Sequence, residues 1–218
     1  MEIKKSSEWG MKIPSKKFTK HSPTGIVIHN MGTGSPLYKS WEKNGSISCL
    51  KSIEKHHVST NKWDAIGYHL IIMPDGTIWE GRPLDVVGAH VAGKNTTRIG
   101  VLVYGSFDVE QPTLEQIQSL KNVLIYLKNI YPIKKILTHK ELASTKCPGS
   151  ELQKVVDILR NSNVLEVTLP KEELIVSPVE KEPILKSDTE FNLKVAALGE
   201  AIDKLKEMYD DIRSVLRP

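Results

Sequence analysis

Up to about residue 160 the apolar positions come in short blocks whose spacing switches between continuous and helical. The run TGIVIHN from Thr24 is a block of β-branched residues closing on a histidine, with the loop-forming MGTGSP behind it; it predicts a buried strand leading into a loop. Ser46 to Val58 places Ile47, Leu50, Ile53 and His57 on one helical face. Tyr68 to Met73 and Thr77 to Glu80 flank Pro74-Asp75-Gly76, a turn sequence, and predict a β-hairpin. Ile99 to Tyr104 (IGVLVY) is a second continuous apolar run and predicts a central strand. Thr113 and Gln116 have the spacing of a capping box ahead of Ile117, Leu120, Leu124 and Leu127, an amphipathic helix. Ile133 to His139 predicts another strand ending in histidine, and Glu151 to Leu159 a short helix. Strands alternating with helices and one hairpin predict an α/β fold with a mixed central sheet flanked by helices.

The pattern changes beyond this body, which closes at about residue 163. Residues 164–189 hold three prolines and many glutamates without a sustained period and read as an extended linker. Phe191, Val195, Leu198, Ile202, Leu205, Tyr209, Ile212 and Leu216 then alternate spacings of four and three, with Asp188 or Thr189 as the N-cap. Such a seam over 190–217 predicts an amphipathic heptad helix that either packs back on the body or joins copies of the chain; the 3.5-residue period behind a linker favours a homo-oligomer.

Composition narrows the class. In 218 residues, 39% are hydrophobic and 26% charged, an ordinary globular balance, and no apolar run approaches the roughly 20 residues of a membrane helix. The basic N-terminus lacks the apolar stretch of a signal peptide, so the expectation is a chain that stays in the cytoplasm unless released by another route. Residues 1–162 carry 22 basic and 14 acidic side chains, whereas 163–218 carry 8 and 12. The basic body suits an anionic partner such as a bacterial wall polymer or simply keeps the chain soluble. Nucleic acid is not expected, because the basic residues are scattered and no nucleic-acid-binding motif is present.

The candidate chemistry lies at three points: His29 closing IVIH, His139 closing ILTH, and Cys147 eight residues later in TKCPG. A catalytic zinc site takes three protein ligands and leaves a fourth position open, a count that two imidazoles and a thiolate satisfy. Each residue alone is also compatible with a satisfied histidine or a small buried thiol. Of the two cysteines, Cys49 sits in the helical segment without a partner and is expected in the core. His56 and His57 are adjacent, not four apart, so they do not form a helical ligand pair. His69 follows Tyr68 on the hairpin and is expected to point to the opposite face, away from the ligands.

GIVIHN around His29, GYHLIIMPDGTIWEGRP from Gly67, GAH ending at His90, KNTTRIGVLVYG from Lys94 and THKELASTKCPG from Thr138 resemble, in order, the zinc-dependent N-acetylmuramoyl-L-alanine amidases, the family shared by amidase-type phage endolysins and peptidoglycan recognition proteins. The resemblance covers about residues 22–162 and implies a zinc amidase domain over 1–163. It implies Zn2+ held by His29, His139 and Cys147, and Tyr68 beside the attacking water. Thr145 stands where amidase-active recognition proteins carry a threonine and many phage enzymes a lysine; it is expected to stabilise the tetrahedral intermediate, with Lys146 as the fallback. His90 and Lys146 are expected to contact substrate, His90 from a wall of the cleft. The implied substrate is bacterial peptidoglycan, cut between N-acetylmuramic acid and L-alanine. Without an export signal or membrane insertion, the implied setting is an endolysin held in the host cytoplasm until the membrane is permeabilised. A cytosolic amidase recycling muropeptides and a non-catalytic peptidoglycan-binding protein are the alternatives.

Overall fold

A computed structural model describes residues 1–12 and 18–161; the linker expected over 164–189 and the heptad helix expected over 190–217 lie outside the described residues. Five strands form one sheet in the order β3-β2-β4-β1-β5. Strand β1 (Gly25–His29) lies between β4 (Arg98–Val103) and β5 (Lys135–Thr138) and is parallel to both. Strand β2 (Leu70–Ile72) is parallel to β4 and forms the expected antiparallel hairpin with β3 (Ile78–Glu80). Every residue of β1 is buried, as a central parallel strand covered on both faces requires. The sheet is mixed and flanked by helices, in agreement with the sequence pattern.

Helix α1 (Tyr38–Lys55) departs from expectation at its start. The pattern predicted helix only from Ser46, but a first segment runs from Tyr38 and is broken at Gly45, whose φ of 75° is left-handed. The reset in backbone direction leaves the first turn of the second segment outside the core. Ile47, expected on the apolar face, is therefore 49% exposed, and burial starts at Cys49 and continues with Leu50 and Ile53. Those three pack with Ile66, Ile71, Trp79 and Leu102 under the sheet, which makes Cys49 a core residue. The chain leaves α1 through a π-helical turn, His56–Thr60.

Leu37, the N-cap of α1, supplies no side-chain cap. Its place is taken from a distance: the Glu110 carboxylate accepts the backbone N–H groups of Leu37 at 3.0 Å, Tyr38 at 3.2 Å and Ser106 at 2.6 Å. Helix α2 (Leu114–Ile130) starts on the Thr113–Gln116 capping box read from sequence, and α3 (Ser150–Asn161) buries Leu152, Val155, Val156 and Leu159. A feature without a sequence signal is the N-terminal strap. Lys4 N–H donates to the Ile78 carbonyl at 2.9 Å, and the Trp9 indole donates to the Glu80 carbonyl at 2.8 Å. Residues 1–12 thus cover the outer edge of β3, which would otherwise expose unpaired backbone groups. No helix among the described residues is long and apolar enough to cross a membrane.

Candidate metal centre

Register brings the two candidate histidines together. Ile28 on β1 is opposite Thr138 on β5, so the next residues, His29 and His139, emerge side by side at the carboxyl ends of adjacent parallel strands. Their ring centroids are 4.7 Å apart. Thr138 and Glu141 close a capping box around the 3-10 turn His139–Glu141, and Arg160 of α3 holds Glu141 at 2.9 Å, which fixes the turn that carries His139. Cys147 returns to the same point, and its Sγ is 3.8 Å from His29 Nδ1.

One ligand atom from each of His29, His139 and Cys147 lies within 4.8 Å of the others. Tetrahedral zinc with N and S ligands holds such atoms about 3.5 Å apart, so the observed cluster closes on a metal with shifts of about an ångström. The donor set also fits electrostatically. Burial lowers the pKa of His29 and of His139, leaving neutral imidazoles with a lone pair to give. Burial pushes the Cys147 thiol up to about 11, and the Asn30 N–H, 3.3 Å from Sγ, opposes that shift. Metal binding at neutral pH therefore displaces the thiol proton. Among the described residues this is the one such cluster of three or more potential ligands.

The other expected site residues have distinct placements. Tyr68 is partly buried with its ring 5.2 Å from that of His29; burial and then the Cys147 thiolate raise its pKa, so its phenol stays protonated at neutral pH. Thr145 is exposed, and its Oγ1 accepts the Cys147 N–H at 3.2 Å. Lys146 is exposed beside it. His90 lines the cleft and is buried against His29, with Nδ1 3.0 Å from His29 Nε2 and Nε2 3.3 Å from the Arg98 carbonyl. His69 turns away from the ligands, accepting the Gly100 N–H on Nδ1 at 2.9 Å and reaching the Val86 carbonyl with Nε2 at 2.9 Å. His139 borders an open cleft of about 510 Å³ lined also by Met31, Ile53, His57, Trp63, Tyr68 and His90 among others.

Residues 19–150 match the N-acetylmuramoyl-L-alanine amidase family. The chain belongs to this family. It is 40% identical over 152 residues to an endolysin of Enterobacteria phage K11, covering 64% of this chain and 90% of the endolysin. It is 28% identical over 150 residues to peptidoglycan-recognition protein LB of Drosophila melanogaster, covering 67% of this chain and 63% of that protein. Among solved structures, the amidase LysC from Clostridium intestinale superposes with a TM-score of 0.61 at 27% identity, over 74% of this chain and 99% of LysC.

The sequence pattern gives no role at this site to Arg82, Gly67 or His57, although the first two lie inside the GYHLIIMPDGTIWEGRP block. The buried Arg82 guanidinium donates to the carbonyls of Ile66 at 2.7 Å and Val87 at 3.0 Å, bracing the segment that delivers Tyr68. Gly67 permits the close approach of the 88–90 loop, since a Cβ there would lie 2.2 Å from the Ala89 carbonyl oxygen. His57, read only as a helix-face residue, accepts the Gly67 N–H at 3.1 Å, and its ring lies 4.6 Å from that of Trp63, tilted by 36°, at the cleft.

Proposed function

We propose that the chain hydrolyses the amide bond between N-acetylmuramic acid and L-alanine of bacterial peptidoglycan, using zinc held by His29, His139 and Cys147, and that it serves as a phage endolysin. The observation that carries this reading is the His-His-Cys cluster at the carboxyl ends of two adjacent parallel strands, open to a cleft. Zinc bound there supplies an acidified water and a Lewis acid for the scissile carbonyl.

The remaining work falls to the chain's own side chains. The Tyr68 phenol, kept protonated by burial, is a donor beside the ligands that orients the attacking water and the developing oxyanion. Thr145 Oγ1 accepts from Cys147 N–H, which leaves its own proton for the tetrahedral intermediate; Lys146 offers a cation in the same loop. Met31, Ile53 and Trp63 give the cleft beside His139 an apolar lining. The basic charge of residues 1–162 favours approach to an anionic wall. Action on the wall follows permeabilisation of the host membrane, as for an endolysin stored in the cytoplasm.

The test is loss of turbidity of purified cell walls. Wild type clears them, Cys147→Ser does not, and a chelator stops wild type until zinc is restored. Wall binding without clearing by the zinc-loaded protein would instead make the chain a peptidoglycan-binding module. The heptad pattern of 190–217 supports self-association that raises avidity for the wall. Light scattering on the full chain checks this, and a monomer at working concentration refutes it.

A further inference from the structure

His90 holds no cleft-facing polar atom to spare, yet it lies against a metal ligand, and its hydrogen bonds settle where the protons are. The Arg98 carbonyl can only accept, so His90 Nε2, 3.3 Å away, carries the proton. In a buried neutral imidazole, donation from Nε2 to a carbonyl leaves Nδ1 with a lone pair. His29 Nε2, 3.0 Å from that lone pair, must then be the donor. A neutral His29 protonated on Nε2 presents a bare Nδ1, the atom that faces Cys147 Sγ at 3.8 Å.

We propose that His90 is a positioning residue for the metal centre: the chain Arg98 carbonyl, His90, His29 locks His29 in the tautomer that offers Nδ1 to the metal. The proposal rests on the zinc reading above and deepens it. An imidazole takes the role that a carboxylate or carbonyl usually plays behind a ligating histidine. The surroundings are built for this ring. Asn95 Oδ1 accepts the N–H groups of His90 and Val91 at 3.0 and 2.8 Å, fixing the backbone. Gly88 and Gly100 make room, because a Cβ on either would come within 2.7 Å of the His90 ring.

Two near-isosteric substitutions separate this role from space filling. Asn places an acceptor where His90 Nδ1 stands, whereas Gln places its amide where Nε2 stands and leaves His29 without an acceptor. Zinc affinity, measured on the full chain by competition with a chromogenic chelator, should fall about 10- to 100-fold in His90→Gln and several-fold at most in His90→Asn. In the metal-free wild type, ring nitrogen chemical shifts should show His29 protonated on Nε2. Equal affinities for the two variants, or His29 protonated on Nδ1, would overturn the proposal. A wild type that binds no zinc, or binds it as tightly after Cys147→Ser, would instead remove the metal reading on which it rests.

Discussion

Acidification should unfold this protein partly through His69, a residue that touches neither the ligands nor the cleft. His69 is fully buried, bridges β4 to the Val86 segment through both ring nitrogens, and has its pKa lowered to about 4 by burial, with the Val86 hydrogen bond opposing the shift. Folded His69 therefore stays neutral at pH values where the unfolded chain, with a pKa near 6.5, takes up a proton. The unfolded state binds more protons between these values, so stability is fully present above pH 6.5 and is lost as pH falls toward 4. With these two pKa values the loss from this residue is about 2 kcal/mol at pH 5 and about 3 kcal/mol once pH is below 4. Urea unfolding of metal-free protein at pH 7 and pH 5 measures it, with His69→Gln as the reference that cannot titrate. The variant should be less stable at pH 7 but lose about 2 kcal/mol less than wild type between the two pH values. Equal losses in the two proteins would refute the reasoning.

Other expectations follow from particular contacts. Glu110→Ala strips three backbone N–H groups of their acceptor and should lower unfolding free energy by about 2 kcal/mol in urea titrations. Gly100→Ala places a Cβ 2.5 Å from the His90 ring and should weaken zinc binding in the same competition assay while costing about 1–3 kcal/mol of stability. Tyr68→Phe should retain stoichiometric zinc and lose wall-clearing rate by about 100-fold, read from metal content and turbidity on one preparation. Full turnover in that variant would remove Tyr68 from the chemistry.

The sheet is legible because the continuous β-branched run before His29 marks a central strand, and a histidine closes both that run and the Lys135–Thr138 segment; that the two strands are adjacent and parallel, and so bring the histidines together, comes from the pairing of β1 with β5. The capping box of α2 is legible because its signal is local. What escapes the pattern is set by tertiary contacts. The strap of residues 1–12 pairs through backbone atoms of Lys4, and the first segment of α1 is capped by Glu110, more than 70 residues away. His90 is visible as a histidine in a glycine-flanked loop expected at the cleft, where it does lie, but its partners, a carbonyl on β4 and a ring on β1, carry no local signal. Ile47 keeps helical spacing with the core residues, yet the break at Gly45 leaves it in solvent.

The central claim is a bond and a metal together, and product analysis tests both. Purified peptidoglycan is digested with zinc-loaded protein and with a chelated control, and the new ends are identified by mass spectrometry. The account predicts free N-terminal alanine with intact muramic acid, formed only when zinc is present. New reducing sugar ends, cleavage within the stem peptide, or the same alanine ends in the chelated control would contradict it.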